Sequence, residues 1–282
     1  MPKPTDDLPG KTTMKTRVIG VGWDVGGWHG RNNAVVVLEW EDTEKPKLLG
    51  DGCKRLPSKV FDLPKFVEHF CGPTASNAVE TAINDSKSMV IVAADAPLGY
   101  PTAFRELVSN PGTGSDNIAP SSRFIDNPLA FRETDREIER DFGKLPLSVS
   151  FDKLGNAASV AILHTLKWTG GDGPLIEKTE LLTHKKPHII EVYPALSKEM
   201  ASRRATACER YRELNSYPAT ERPHFFDAWL AAVLALGFGV DDDTLLPTLK
   251  PTKSPIKSQS NEGAIWYPRS RDWRIRKKDE AG

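Results

Sequence analysis

The chain has 282 residues, no formal net charge, 39% apolar residues and 27% charged residues. This balance leaves enough apolar material for the core of one large domain or two small ones. No apolar run approaches the roughly 20 residues that span a bilayer, and the first residues lack the apolar stretch of a signal peptide. Its cysteines, Cys53, Cys71 and Cys208, have neither disulfide nor zinc-ligand spacing. We therefore expect a cytoplasmic protein that does not bind a membrane.

The first third of the chain predicts a group of strands. Residues 1–15 are rich in Pro, Thr and Lys and are expected to be disordered. A helix is predicted over 63–71, with Phe66, Val67 and Phe70 on one face. Buried strands are predicted where apolar residues run together, at 16–23, 33–41, 47–55 (the weakest) and 89–94. The short polar loop after the first strand favours an antiparallel hairpin.

The rest of the chain predicts helices around one further strand. This strand covers 188–193 and is stopped by Pro194. Residues 96–150 are irregular and contain several Pro and Gly. Helical patterns occur at 131–142, 157–168, 203–214 and 225–238, and the last of these is almost entirely apolar. No internal repeat is visible.

This order of elements predicts an α/β fold with the layout of an RNase H-like sheet. The first three strands are antiparallel, the later strands are parallel, and helices flank the mixed sheet. Helical crossovers place the strands that begin at Arg17, Met89 and His188 parallel to one another. We expect one domain over 16–268 with a helical insertion at about 100–180, followed by a basic tail over 269–282.

Carboxylates fall at the ends of the predicted parallel strands. Asp24 and Asp95 each end an apolar strand, and Glu191 lies near the end of a third. The carboxyl ends of such strands open into one crevice, so we expect these side chains to meet there. Like charges this close are costly unless a cation neutralises them, and hard oxygen ligands suit Mg²⁺ or Mn²⁺. Two such ions can stabilise the attacking and leaving oxygens in phosphodiester hydrolysis.

A fourth acid, Asp227, lies near the start of the apolar helix at 225–238. Its surroundings in the sequence are apolar, and an unpaired carboxylate buried among them would be costly. The small residues Ala228, Ala231 and Ala232 let this helix approach the sheet closely. We therefore expect Asp227 to point into the same crevice.

The predicted catalytic and metal-binding set is thus Asp24, Asp95, Glu191 and Asp227. Each acid also has a simpler explanation. Asp24 and Asp95 precede residues that favour turns, and Asp227 can complement the N-terminus of its helix. The direction of the Glu191 side chain depends on the register of its strand.

Six segments, taken in chain order, resemble those of an uncharacterised family of predicted RNase H-like nucleases. They are VGWDVGG, VIVAADAPLGYP, FRETDREI, IIEVYPA, HFFDAWLAAVLAL and EGAIWYP. The family's segments read I-D-x-P-L-G, R-x-x-D, E-x-Y-P, D-A-x-x-A-A and E-G-x-I-x-x-P, and the resemblance covers roughly 17–268. It implies an RNase H-like fold, nuclease activity, and the metal ligands Asp24, Asp95, Glu191 and Asp227, with Glu262 as a weaker fifth candidate. The chain departs from the family pattern at Trp23, in a Trp-rich loop that contains His29, and in its basic tail.

Three arginines in the predicted insertion, Arg123, Arg132 and Arg136, are predicted to bind substrate phosphates beside the metal ions. The alternative is a surface helix in which these arginines form ordinary ion pairs with Glu133 and Asp135.

Three histidines, His29, His184 and His224, either act as an acid or base near the site or are solvated or structural. The chain beyond Pro247 is basic and serves either nucleic-acid binding or solubility.

These features favour a metal-dependent nuclease that acts on DNA or RNA through Mg²⁺ or Mn²⁺. A sugar-kinase-like or actin-like phosphotransferase is the second hypothesis, because the segment 22–27 resembles the first phosphate loop of those enzymes. A non-catalytic module that binds nucleic acid or protein is the third. The sequence leaves open the choice between DNA and RNA.

Overall fold

A computed structural model describes residues 17–30, 32–41, 46–110, 123–150, 154–175, 186–197, 223–240, 246–252 and 262–269. Several predicted features lie outside these residues. They are the disordered segment at 1–15, the helix at 203–214, the histidine His184, and all of the basic tail except Arg269.

The described strands form one mixed seven-stranded sheet in the order β3-β2-β1-β4-β5-β7-β6. Their bounds are Arg17–Asp24 (β1), Asn33–Glu41 (β2), Lys47–Lys54 (β3), Ser88–Asp95 (β4), His188–Val192 (β5), Leu249–Pro251 (β6) and Ile265–Pro268 (β7). β1, β2 and β3 are antiparallel neighbours, whereas β4, β5 and β7 run parallel to β1. The predicted mixed sheet is therefore confirmed. β6 and β7 were not predicted, because three or four residues are too few to display a strand period.

Six α-helices are described: Leu63–Cys71 (α1), Pro73–Asn84 (α2), Thr102–Ser109 (α3), Glu133–Phe142 (α4), Leu154–Thr169 (α5) and Pro223–Val240 (α6). Four of them match predicted helices. α2 and α3 were not predicted: α2 buries mostly small residues, and α3 has no buried residue that would mark an apolar stripe. Helices α3, α4 and α5 lie between β4 and β5, where a helical insertion was expected, and the limits of that insertion stay a prediction.

The two faces of the sheet carry different helices. Helices α1, α2 and α5 pack on one face, against alternate residues such as Val21 and Trp23 of β1. Helix α6 covers the other face, against Val18 of β1 and Ile91 and Ala93 of β4. Because successive strand residues point to opposite faces, every residue of a central strand can be assigned to one helical layer.

Helix α6 lies unusually close to β1, and two glycines make this possible. A Cβ atom at Gly22 would lie 1.9 Å from the carbonyl oxygen of Ala228, and a Cβ at Gly20 would lie 2.7 Å from that of Ala232. Two strand residues advance by about 6.6 Å, and four helix residues by about 6.0 Å. The helix and the strand therefore stay in step, and the same step continues to Asp24 at the end of β1.

Within the described residues, α6 is the one helix long and apolar enough to cross a membrane by length and composition alone. In this structure 67% of these 18 residues are buried, as in the core helix of a globular fold. The predicted cytoplasmic location and lack of membrane contact stay predictions.

We predict that Gly22→Ala destabilises the protein by at least about 2 kcal/mol, because the new methyl group meets helix backbone that has no room to yield. The free energy of unfolding in urea checks this. Gly20→Ala is the graded comparison and should cost less, since its closest approach is longer and its other neighbours are atoms of the flexible Leu236 side chain. Equal and negligible effects of both variants would contradict the close packing.

Candidate functional site

Two aspartates stand side by side at the carboxyl edge of the sheet. Asp24 is the last residue of β1 and Asp95 the last of β4, and the two are register partners in the parallel ladder. Register partners project to the same face, and the alternation along each strand gives Asp24 and Asp95 the face that α6 covers. Both side chains are half-buried. The structure thus brings together two of the predicted site residues.

The first turns of α6 add two more polar groups at this edge. The Nδ1–H of His224 donates a hydrogen bond of 2.7 Å to the Oδ2 atom of Asp24. Asp227 lies three residues further along the helix, on the side that also carries His224. It is half-buried and directly precedes Ala228, whose carbonyl group faces Gly22. His224 therefore belongs with the site, a placement that its sequence context did not favour over a solvated role.

The simple explanation of Asp227 as a helix-terminus charge does not fit the observed helix. Helix α6 begins at Pro223, two residues earlier than predicted, so no acidic residue lies in its first turn. The stabilisation of a carboxylate by the helix dipole falls off within that turn. The position of Asp227 is better explained by the contact between α6 and β1, which begins at the next residue, Ala228.

Glu191 does not join these carboxylates, and this corrects its predicted role as a catalytic metal ligand. It is the register partner of Ala94, the residue before Asp95. Ala94 packs in the layer that contains α1 and α5, so Glu191 points to the opposite face from Asp24 and Asp95. There its two carboxylate oxygens accept hydrogen bonds of 2.7 and 2.6 Å from Arg132.

Arg132 is likewise not a substrate-binding residue, because its guanidinium is buried and fully used. Its side chain is 1% exposed. Two of its N–H groups bind Glu191, two bind the carboxylate of Asp135, and the fifth binds the main-chain oxygen of Glu262. Burial alone would lower the pKa of Arg132, but the carboxylates of Asp135 and Glu191 raise it well above its ordinary value. The guanidinium therefore stays charged and has no N–H group left for a phosphate.

Glu262 extends this buried network to two helices. One of its carboxylate oxygens accepts the amide of Thr102 at 2.7 Å, and the other accepts the amide of Glu133 at 3.0 Å. These are the first residues of α3 and α4, where a negative charge is stabilised by both helix dipoles. Glu262 is therefore a helix cap in this structure, and its weaker candidacy as a metal ligand has no geometric support.

The network joins four of the segments on which the family resemblance depends. Leu98 donates its amide to Glu191 at 2.9 Å, so the P-L-G segment is tied to the E-x-Y-P segment. Arg132 and Asp135 supply the R-x-x-D segment, and Gly263 follows Glu262 with a φ of +82°. A Cβ at Gly263 would lie 3.4 Å from Glu191 Oε2, so this position favours glycine for both conformation and space. These segments therefore specify the fold around the site.

The other two arginines pair with nearby groups. Arg123 is exposed and binds Glu139 at 3.1 Å. Arg136 is partly buried and donates to Glu133 and to the carbonyl oxygens of Phe131 and Ile125. These contacts match the alternative of ordinary ion pairing along a helix. A substrate-binding role for Arg123 and Arg136 stays a prediction.

The residues present fit a cation only in part. Among the described residues, no group of three or more His, Cys, Asp or Glu side chains is arranged to enclose a metal ion. The predicted cluster of four carboxylates is therefore not formed. The reason is that Glu191 lies on the other face of the sheet. Asp24 and Asp95 nevertheless fit Mg²⁺, which commonly binds one or two carboxylates and completes its shell with water and substrate phosphate.

The loop after Asp24 is held by side chains. The amide of Gly26 donates to Asn33 Oδ1 at 3.0 Å, and the amide of Trp28 donates to Asn156 Oδ1 at 3.2 Å. A phosphate loop needs such amides for its ligand. In this loop two of them are already used, while the neighbouring His29 is exposed.

In comparisons with protein-family models, curated proteins and solved structures, nothing matched this chain. The candidate site is therefore defined by the geometry of its residues alone.

We predict that Arg132→Ala destabilises the protein by about 3–5 kcal/mol, because it leaves the buried carboxylates of Glu191 and Asp135 without their cation. Chemical denaturation measures this. Arg123→Ala is the matched control and should change stability by about 1 kcal/mol or less, since its ion pair is exposed. An Arg132→Ala protein with unchanged stability and weaker substrate binding would restore the original prediction for this residue.

Proposed function

We propose that this chain is a divalent-cation-dependent nuclease with an RNase H-like fold. Asp24 and Asp95 would hold the cation, with Asp227 as a nearby negative charge and His224 fixing the carboxylate of Asp24. The observation that carries the proposal is the register pairing of Asp24 with Asp95 on the face of the sheet where α6 supplies the other two residues.

The paired carboxylates support cation binding through their mutual repulsion. Like charges directly opposite each other on neighbouring strands are destabilising. A shared Mg²⁺ or Mn²⁺ removes that cost, and carboxylate oxygens are the ligands that these ions prefer. When bound, the cation would polarise a phosphodiester and lower the pKa of a water molecule that attacks it.

The protein's own groups would then orient the reaction. Asp24 is fixed by the Nδ1–H of His224, so its carboxylate has a defined direction. The side chain of His224 is 45% exposed, which leaves its other ring nitrogen able to exchange a proton with the substrate or solvent. Asp227 adds negative charge on the same side of α6. Glu191 and Arg132 act from the opposite face by holding the residues that follow Asp95.

The two alternatives make different demands on the same edge. A phosphotransferase would bind nucleotide phosphate at the loop after Asp24, where the amides of Gly26 and Trp28 are taken up by asparagine side chains. A non-catalytic module would bind nucleic acid without any role for Asp24 or Asp95. The nuclease hypothesis uses the paired aspartates and does not need the amides of that loop.

We predict that the wild-type protein cleaves labelled DNA or RNA in Mn²⁺ or Mg²⁺, and that Asp24→Asn and Asp95→Asn each slow cleavage at least about a hundredfold. The reason is that loss of a ligand removes several kcal/mol of charge stabilisation, and each 1.4 kcal/mol or so is a factor of ten in rate. Cleavage rates on single-stranded and duplex substrates, with Mn²⁺ affinity measured by calorimetry, test both parts.

Asp51→Asn is the matched control, since Asp51 is a carboxylate of β3 that lies two strands away from the paired aspartates, level with Gly22 of β1. It should leave both cleavage and Mn²⁺ affinity unchanged. The melting temperature of each variant separates loss of function from loss of structure. Cleavage that persists in Asp24→Asn would exclude the proposed site, and ATP-dependent thermal stabilisation without cleavage would favour the phosphotransferase.

A further inference from the structure

A second feature lies at the same edge of the sheet, two strands away from Asp24. The ladder aligns Asp24 with Ala34 of β2, and Ala34 with Cys53 of β3. β3 therefore ends at Lys54 on the edge where β1 ends at Asp24. With strands about 4.8 Å apart, the end of β3 is about 10 Å from Asp24, close enough for one nucleic-acid strand to contact both.

The segment 55–62 follows β3 and packs in the layer that contains helices α1 and α5. Leu56 is buried in the same cluster as Val25, and Trp28 packs against that cluster. The carbonyl oxygen of Phe61 accepts a hydrogen bond from the indole of Trp168 in α5. This segment is therefore fixed against the last turn of helix α5.

Five basic side chains are presented by this segment and its neighbours, and we call them the basic surface: Lys54, Arg55, Lys59, Lys65 and Lys167. All five are exposed. The acids on the stretch 54–69 are Asp62 and Glu68, so the surface carries more positive than negative charge.

Two of these cations are fixed by main-chain contacts. Lys54 donates to the carbonyl oxygen of His69 at 2.7 Å, and Lys167 donates to that of Val60 at 2.8 Å. Each contact uses one of three ammonium hydrogens and leaves two for another acceptor. These two lysines are thus held in position without losing their charge.

The remaining cations of the basic surface are Arg55, Lys59 and Lys65. The Nζ atom of Lys65 lies 3.2 Å from the Oδ2 atom of Asp62. Slight burial acts to raise the pKa of Asp62, but the amide and ammonium groups of Lys65 and the charge of Lys167 outweigh it and lower that pKa. Within the described part of the chain, the side chains of Arg55 and Lys59 make no ion pair with an acid, so both remain available to a ligand.

We propose that the basic surface binds the phosphate backbone of a nucleic-acid strand and leads it over the carboxyl edge of the sheet to Asp24 and Asp95 on the α6 face. This inference rests on the proposed nuclease function and names the part of the molecule that holds its substrate. The chemistry is that of phosphate neutralisation by exposed Lys and Arg. The partly exposed Trp28 and the exposed His29 follow Asp24 closely in the chain and offer aromatic rings on which a base can stack. The proposed phosphate contacts are thus made by the basic surface and not by Arg132.

The test measures binding of labelled single-stranded DNA and RNA over a series of NaCl concentrations, in EDTA so that no cleavage occurs. The variant is Arg55→Gln with Lys59→Gln, because neither side chain supports the fold through an ion pair. Each lost contact with a single strand lowers the slope of log affinity against log salt by about 0.7, so the double variant should lower it by about 1.4.

The matched control is Lys47→Gln with Lys87→Gln. Both lysines are exposed and lie at the opposite edge of the sheet, so this variant removes the same charge without touching the basic surface. An unchanged slope in the control and a lower slope in the test variant support the proposal. Equal slopes in both variants, or no binding by the wild type, overturn it.

Failure of the nuclease proposal is distinguishable from failure of this one. Binding that depends on Arg55 and Lys59, without cleavage of any substrate in Mn²⁺, would support the basic surface and exclude the nuclease. Cleavage that depends on Asp24, with binding that ignores Arg55 and Lys59, would do the opposite.

Discussion

The close contact between α6 and β1 is the constraint on which the candidate site depends. Gly20 and Gly22 remove the side chains that would separate helix from strand, and small helix residues complete the fit. Because the helix and the strand advance by nearly equal steps, the start of α6 reaches the end of β1, where His224 meets Asp24. Larger residues at the glycines would lift the helix and move its polar first turns away from the aspartates.

The carboxyl edge of the sheet has two different faces. On the α6 face, Asp24 and Asp95 form a half-buried acidic pair. On the other face, Glu191 and Asp135 surround a buried arginine whose hydrogen-bonding capacity is complete. Both groups are rich in carboxylates, and they differ in that the second surrounds a buried arginine whose N–H groups are all used.

Much of the sheet could be predicted from the sequence, because β1, β2 and β4 are long apolar runs and Asp24 and Asp95 visibly end two of them. The side of the sheet on which Glu191 lies could not be predicted. Strands buried on both faces are apolar throughout, so their alternation does not mark a face, and a slip of one residue reverses every side chain. The role of Arg132 was hidden for a related reason, since its partner Glu191 is 59 residues away. The spacing of Arg132 and Asp135 gave the one local sign of the network.

The two hydrogen bonds of Glu262 suggest an order in which parts of the chain fold. They join it to residues 160 and 129 positions earlier, which makes them among the most distant connections described. Loops of this length close late, after nearby strands and helices have formed. The N-termini of α3 and α4 are therefore capped only when the last strand of the sheet is in place, so we expect the amides of Thr102 and Glu133 to become protected from solvent after the nearby strands and helices have formed.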